Sequence, residues 1–375
     1  MVPSAIDSPI LESQSGARQI DHVLDSLDVG GAERLVVLLA QHQHRQGVRV
    51  RVHALYGLGV LAQPLMDEGI EVVAHGARPQ GLNGIGSLTA ALRRQRPDAV
   101  HCHNISATIV GAPAAALAGV PACIATRHGW ARRAGAWRAE LKFAMAARAC
   151  AYVVAVCEAA RRELAAAPLA RPGRIVTVVN GALAPSATRE SRAPADRCVV
   201  VSVARLNWAK DHATLLRALA VAHRQRPEIE LHLVGDGVER ARLEQLADTL
   251  DIRGAVRFLG ERDDIGDCLN DAHVFALSSV TEGLPVALLE ALAMGLAPIV
   301  SEVGGMPEVV ERAGVGTVFP AGDVARLAEA LVRHASARDQ WPAWAALARS
   351  AFDRHFTITR MCTDYDTLLR RCLPS

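Results

Sequence analysis

Two carboxylates, Glu282 and Glu290, stand with seven residues between them in SSVTEGLPVALLEALAMG, residues 278–295. A strand ending near Leu277, a loop carrying Glu282-Gly283-Leu284, and a helix opening at Pro285 and closing at Gly295 fit this stretch. The helix is apolar except for Glu290, and a lone carboxylate in a buried helix is costly unless something bonds to it. A structural glutamate with a buried partner meets that condition. Glu282 alone meets the ordinary preference for negative charge at a helix N-terminus. Together they suggest more. Eight residues of helix span about 12 Å, roughly the separation of sugar and ribose in a nucleotide sugar. Backbone N–H groups at Gly283 and Leu284, free at a helix start, can hold sugar hydroxyls.

A second group of charges lies in ARLNWAKD, residues 204–211. Arg205 ends an apolar strand and Asp211 is placed to cap the next helix, so Arg205 and Lys210 stand at the rim of a sheet. They could be two surface cations. Lys210, however, is one of only two lysines, with Lys142, in a chain that otherwise uses Arg. A compact ammonium beside a forked guanidinium binds oxyanions in two ways, which suits a departing diphosphate. After the first strand comes Asp28-Val29-Gly30-Gly31-Ala32-Glu33. Glycine there lets a phosphate approach a helix N-terminus, or simply makes a tight turn. Neither this loop nor Gly235-Asp236-Gly237 completes a G-x-G-x-x-G fingerprint. His128 follows a strand and reads either as a core or turn histidine or as a ligand contact. His101 and His103 share one face of another strand. With no third ligand nearby in sequence, structural roles are expected of them rather than metal binding. No Asp-x-Asp element stands at a strand end, so neither a metal nor a cofactor is expected.

The elements that must position these groups alternate between strand and helix. Residues 20–27 read as a strand and 32–46 as a helix. Further strands are expected at 48–55, 99–102, 122–126, 152–156 and 175–179. A second series has strands at 198–204, 229–234, 256–260, 272–278 and 297–301. Its helices fall at 211–225, 238–250, 285–294 and from 306, with a last helix at 358–372. This is an α/β chain of two doubly wound parallel sheets, which bind ligands at the carboxyl ends of their strands. The Ala-, Pro-, Ser- and Arg-rich run 182–196 puts the domain boundary near 190.

Composition agrees. The chain has 375 residues, 50% hydrophobic and 21% charged, enough for two cores and unlike a disordered or fibrous protein. Aromatic residues at 4% argue against nucleic-acid stacking platforms. Formal charge is +2 overall, but residues 1–190 carry +6 and 191–375 carry −4, so the halves face different partners. The eight cysteines are scattered without a Cys-x-x-Cys pair, which predicts reduced thiols and a cytoplasmic protein. Residues 1–16 lack an apolar core and read as a disordered tail. Val110–Ala125 is broken by Pro113, Gly119 and Pro121 and is too short to span a bilayer.

In combination these motifs resemble the retaining glycosyltransferases of family 4, from about Arg18 onward. SEVGGMPEVV (301–310) looks like that family's following loop and helix. The resemblance implies a GT-B fold, two Rossmann-like domains facing across a cleft. The expected division is 17–190 for the acceptor, 191–352 for the nucleotide sugar, and 353–375 as a helix returning to the N-terminal domain. It implies Arg205 and Lys210 on the diphosphate and Glu290 on the ribose. Glu282 with the Gly283–Leu284 backbone would hold the transferred sugar, His128 would contact that sugar, and Gly30 and Gly31 would form the glycine loop. Transfer would be retaining and metal-independent, onto a glycan or lipid-linked acceptor. One departure is Asn180-Gly-Ala-Leu, where the family often has an acid after Asn-Gly.

Other readings share parts of this pattern. A GT-B-like sugar-nucleotide epimerase would use the same diphosphate grip, and an inactive nucleotide-sugar-binding subunit would keep only the binding. A phosphorylase needs a cofactor lysine, and a nicotinamide enzyme its glycine fingerprint. Segment 127–148 holds six basic residues against Glu140, with Trp130, Trp137 and Phe143 interleaved. It reads either as a docking surface for an anionic membrane, at the inner face of the plasma membrane, or as a solvated basic face with its aromatics packed inward.

Overall fold

The computed structural model describes residues 18–77, 83–129, 137–167, 170–187 and 196–373. The expected N-terminal tail, the boundary near 190 and three membrane-facing candidates, Trp130, Arg132 and Arg133, lie outside the described residues.

The N-terminal half runs β1 (Gln19–Ser26), α1 (Gly31–Arg45), β2 (Arg49–Gly57), α2 (Ala62–Asp67), β3 (Glu71–Ala74), α3 (Gly84–Gln95), β4 (Ala99–His103), α4 (Asn104–Ala118), β5 (Ala122–Arg127), α5 (Trp137–Ala146), β6 (Tyr152–Ala155), α6 (Glu158–Ala166) and β7 (Ile175–Thr177). The C-terminal half runs β8 (Cys198–Val203), α7 (His212–Gln225), β9 (Ile229–Val234), α8 (Arg240–Thr249), β10 (Val256–Gly260), α9 (Ile265–Asn270), β11 (Val274–Leu277), α10 (Val286–Ala293), β12 (Ala297–Ser301), α11 (Met306–Ala313), β13 (Thr317–Phe319), α12 (Val324–Ser336), α13 (Trp341–His355) and α14 (Ile358–Cys372).

Both sheets are parallel, with strand orders 3-2-1-4-5-6-7 and 10-9-8-11-12-13. The order reverses between β1 and β4 in one sheet and between β8 and β11 in the other. Crevices at such reversals are where open α/β sheets bind ligands. Strands such as β4, β5 and β12 are buried along their whole length, because helices cover both faces.

Local chemistry fixes the helix ends near the cleft. The Asp211 carboxylate accepts from the Thr214 N–H at 3.3 Å and caps α7. Pro285 takes the cap position of α10, one residue earlier than its expected place inside the helix. Gly295, at φ +83°, closes α10 in the left-handed region that glycine tolerates.

The chain crosses back between α13 and α14. The Phe356 carbonyl accepts from the Ala182 N–H at 2.8 Å, and the Ala182 carbonyl accepts from the Ile358 N–H at 2.9 Å. The α14 residues Met361, Cys362, Tyr365, Leu368 and Leu369 pack against Ile20, Leu35, Leu39 and Ile124 of the N-terminal domain, whereas α13 packs on α10. All eight cysteines are free, and seven are buried. No described helix is long and apolar enough to cross a membrane.

Candidate active site

The two sheets face one another across a cleft of about 740 Å³. Its walls are the loops after β1, β4 and β5 on one side and after β8 and β11 on the other. The loops flanking both order reversals therefore meet in one place. Arg205, Lys210, Glu282, Gly283, Leu284, Gly30, Gly31 and His128 all line it.

Lys210 ends a short 3-10 turn that the Asn207 side chain caps by accepting from the Ala209 N–H at 3.0 Å. Its ammonium pairs with the Glu282 carboxylate, which also accepts from the Ser279 hydroxyl at 2.8 Å. The two loops are tied together beneath that pair. The Ser278 hydroxyl donates to the carbonyls of Lys210 and Asp211 at 3.1 and 2.8 Å, and the Val280 N–H donates to the Ala209 carbonyl at 2.9 Å.

Arg205 lies two residues beyond β8 and donates across the cleft to the Val29 carbonyl in the glycine loop. A Cβ on Gly30 would run into the Glu33 carboxylate and sit 3.1 Å from Arg205 Nη2. Gly30 thus keeps open a space bounded by one anion and one cation. A Cβ on Gly31 would make only ordinary contact with Val286.

Gly235-Asp236-Gly237 has a structural explanation. Its glycines sit at φ +127° and +159°, with added Cβ atoms 2.1 and 2.3 Å from the carbonyl oxygens of Ala204 and Leu206. The pair lets two backbones lie against each other beneath Arg205.

At Gly283 the two domains lie against each other closely. A Cβ there would sit 2.2 Å from the His128 carbonyl oxygen. The Gly283 carbonyl accepts from the Gly305 N–H at 2.7 Å, and the Leu284 carbonyl accepts from Asn180 Nδ2 at 2.9 Å. Their N–H groups have no acceptor among the described residues. Gly304, at φ +55°, packs on the Glu282 and Gly283 carbonyls. The SEVGG segment therefore supports the Glu282 loop from behind.

Glu290 lies on α10 and is not among the residues that line this cleft, unlike the other predicted site residues. No described residue hydrogen-bonds its carboxylate. Burial raises its pKa, and only the Arg34 charge opposes the shift. The bonded structural partner that would account for it as a packing residue is not found among the described residues.

On the N-terminal wall, His128 is half-buried, and burial lowers its pKa to about 4. Its backbone N–H donates to Asn104 Oδ1 at 3.0 Å, and its Nε2 meets His103 Nδ1 at 3.1 Å. Asn104 holds φ +71° to make that contact. His101 and His103 are joined by His22, and the three offer ring nitrogens within 4.8 Å of one another. His101 Nε2 meets the Thr126 hydroxyl at 2.7 Å, and Thr126 meets the Tyr365 hydroxyl at 3.1 Å. The sequence did not bring His22 to this group.

Asp25 was also missed. It lies at the end of β1 and lines the cleft, with Oδ1 buried and without a hydrogen-bond partner among the described residues. Burial pushes its carboxyl up to about 6, against hydrogen bonds from Ser106 and the Ala107 N–H. An acid at the rim of an otherwise buried strand, just before the glycine loop, was the available signal.

The profile described as "Glycosyl transferases group 1" matches residues 185–340, and that described as "Glycosyltransferase Family 4" matches residues 29–182. The chain is 31% identical over 330 residues to the Bacillus subtilis (strain 168) protein named as glycosyltransferase EpsF, covering 81% of this chain and 83% of that one. It is 28% identical over 271 residues to the Escherichia coli UDP-Gal:alpha-D-GlcNAc-diphosphoundecaprenol alpha-1,3-galactosyltransferase, covering 66% and 68%. Among solved structures it resembles Anabaena Alr3699/HepE in complex with UDP, with TM-score 0.81 and 20% identity over 94% of this chain and 100% of that one. A UDP-glucose complex of the same protein gives a TM-score of 0.78. The two profiles and the Bacillus relative span both domains: the chain belongs to the family 4 glycosyltransferases and has their GT-B fold.

Proposed function

We propose that the protein moves a sugar from a nucleotide-diphosphate sugar to an acceptor hydroxyl with retention and without a metal. The setting would be synthesis of bacterial exopolysaccharide, lipopolysaccharide or another glycoconjugate. The observation that carries this is the meeting of Arg205, Lys210 and Glu282 at one cleft mouth beside the unpartnered N–H groups of Gly283 and Leu284.

Lys210 now pairs with Glu282. A bound diphosphate would take over the ammonium and leave the Glu282 carboxylate to the sugar. Arg205, donating to a backbone carbonyl and to no other group among the described residues, can turn its fork to the same phosphates. Glu290, half-buried and without a hydrogen bond among the described residues, would take the ribose hydroxyls, whose donors satisfy it. The acceptor oxygen would attack the anomeric carbon on the face the phosphate leaves. The C1–O bond to phosphate breaks, and the acceptor proton passes to a phosphate oxygen. Arg205 and Lys210 would stabilise the charge that grows there, with no metal or cofactor required. The UDP held by the Anabaena protein and the UDP-Gal in the Escherichia coli name favour a uridine donor.

The diphosphoundecaprenol of that same name supports a lipid-linked acceptor. So does α5, which exposes Trp137, Leu141 and Met145 at four-residue spacing. Beside it lies an apolar groove of about 590 Å³, edged by Arg148, Arg171 and Arg174. The interfacial reading of 127–148 is limited to this exposed face: Arg127 and Phe143, counted with it in the sequence, are buried against each other, and Arg127 pairs with Glu140 at 2.6 Å.

Thermal-shift titration with UDP, GDP and UDP-glucose tests donor binding, since a ligand that binds only the folded state raises its melting temperature. Proton NMR of the product then reads the anomeric configuration, in buffer with and without excess EDTA. Turnover that vanishes in chelator and returns with magnesium, or a product of inverted configuration, sinks the corresponding part of the proposal.

A further inference from the structure

Hydrogen bonds join five side chains end to end from α14 to the cleft. Asp366 Oδ1 accepts from Gln43 Nε2 at 3.2 Å. Gln43 Oε1 lies 2.9 Å from His22 Nε2. His22 Nδ1 lies 3.0 Å from His103 Nε2, and His103 Nδ1 lies 3.1 Å from His128 Nε2. The residues come from α14, α1, β1, β4 and the loop after β5.

The direction of every bond follows from one end. A carboxylate only accepts, so Gln43 turns its amide nitrogen to Asp366 and its oxygen to His22. That oxygen also only accepts, so His22 Nε2 carries a hydrogen. Burial holds the imidazoles neutral, with His22 and His128 lowered to about 4 and His103 well below its usual value. A neutral imidazole has one N–H. His22 Nδ1 is therefore bare and accepts from His103 Nε2. His103 Nδ1 is bare in turn and accepts from His128 Nε2. The chain ends at a lone pair on His128 Nδ1, a buried atom with no hydrogen-bond partner among the described residues, on a side chain that lines the cleft.

We infer that Asp366, Gln43, His22 and His103 are positioning residues that hold His128 in its Nε2–H tautomer, so that Nδ1 accepts from a hydroxyl of the transferred sugar. The sugar contact rests on the donor site proposed above, whereas the direction of the relay does not. The helix that crosses back from the C-terminal half thereby sets the hydrogen-bonding character of a group in the cleft. A second arm, Tyr365–Thr126–His101, runs beside the first without reaching the cleft wall.

Nitrogen-15 NMR of histidine-labelled full-length protein reads each tautomer without any ligand. His22, His103 and His128 are expected as Nε2–H in the wild type. Asp366→Asn can donate to Gln43 and let its amide turn over, so His128 should shift toward Nδ1–H. With UDP-glucose as donor, kcat/KM should then fall about fivefold, the worth of one neutral hydrogen bond. Asp366→Glu should restore both readouts. An Nδ1–H tautomer at His128 in the wild type, or tautomers unmoved by Asp366→Asn, overturns the relay, and the wild-type spectrum decides even if the variant does not fold. A shifted tautomer with unchanged kcat/KM overturns the sugar contact. Wild-type protein stabilised by none of UDP, GDP and UDP-glucose refutes the donor site and the sugar contact with it, while the spectrum still settles the relay.

Discussion

Lys210 and Glu282 neutralise each other across two loops, and that pairing makes their separate removal informative. Lys210→Ala and Arg205→Ala should each lower kcat by about a hundredfold or more with the melting temperature little changed, because the cations act on charge that grows at the leaving group. Lys210→Arg should also be impaired, since a planar fork replaces a point charge. Steady-state kinetics beside a thermal melt check both. Glu290→Ala should raise KM for the donor with kcat nearly kept, and Glu282→Ala should do the reverse, as remote binding and transition-state contact separate in those two constants. Matching changes in both parameters would remove the distinction.

Asp25 makes a prediction about pH. Its folded pKa, about 6, lies above the ordinary 3.8. Its contribution to stability is thus full below the ordinary value and is lost as pH rises through about 6. Asp25→Asn should stabilise the protein at neutral pH, by at most about 3 kcal/mol, and bring no gain at pH below about 4. Denaturant midpoints at the two pH values measure this, and a destabilised variant at neutral pH contradicts it. At this scale the sequence was a partial guide. Glu282, Glu290, Arg205 and Lys210 were legible because an apolar helix and a lysine-poor chain made them conspicuous. His22, Gln43 and Asp366 were not, because contacts spanning as many as 323 residues leave no local mark.

Among the elements, the loop between β11 and α10 is under a tight constraint. With an added Cβ only 2.2 Å from the His128 carbonyl, Gly283→Ala must push the two domains apart there. Turnover should drop at least about tenfold while each domain keeps its own core, since small displacements at a reacting centre are expensive. Circular dichroism together with activity checks this. Helix α5 carries a different expectation. Vesicles containing anionic lipid should co-sediment the protein, binding should weaken with salt, and Trp137→Ser with Leu141→Ser should reduce it. Equal recovery in the supernatant with neutral and anionic vesicles at low salt would favour a soluble acceptor. The long apolar strands and the capped helices were readable in the sequence, and β9, β10 and β12 coincide with their expected bounds. The strands β3 and β13 were not read. They are short edges: β3 has no buried residue, and β13 has only Phe319 buried after two half-buried positions, so no alternation develops. Helices α12 and α13 were also passed over, although Asp323 caps the first through the Arg326 N–H at 2.9 Å.

Across the whole molecule, polar contacts at a few places join the two domains among the described residues. The Glu308 carboxylate accepts from the N–H groups of Glu158 and Ala159 at 3.0 and 2.6 Å, so an acid of α11 caps α6 of the other domain. Glu308→Ala should loosen this clasp, and small-angle scattering should show a larger radius of gyration that donor binding reverses. An unchanged scattering curve would mean that the Asn180 and Arg205 contacts and the Ala182–Thr357 bridge suffice. The crossing of α14 has a consequence for the order in which the protein can be made. Ile20, Leu35, Leu39 and Ile124 belong to the first half of the chain, yet their cover is the face of α14 that carries Tyr365 and Leu369. During synthesis the N-terminal sheet must wait, one flank bare and prone to wrong partners, until the whole second domain has left the ribosome. Only then can the relay through Asp366 close, so the cleft acquires its directed histidine at the end of folding, when both domains are already in place.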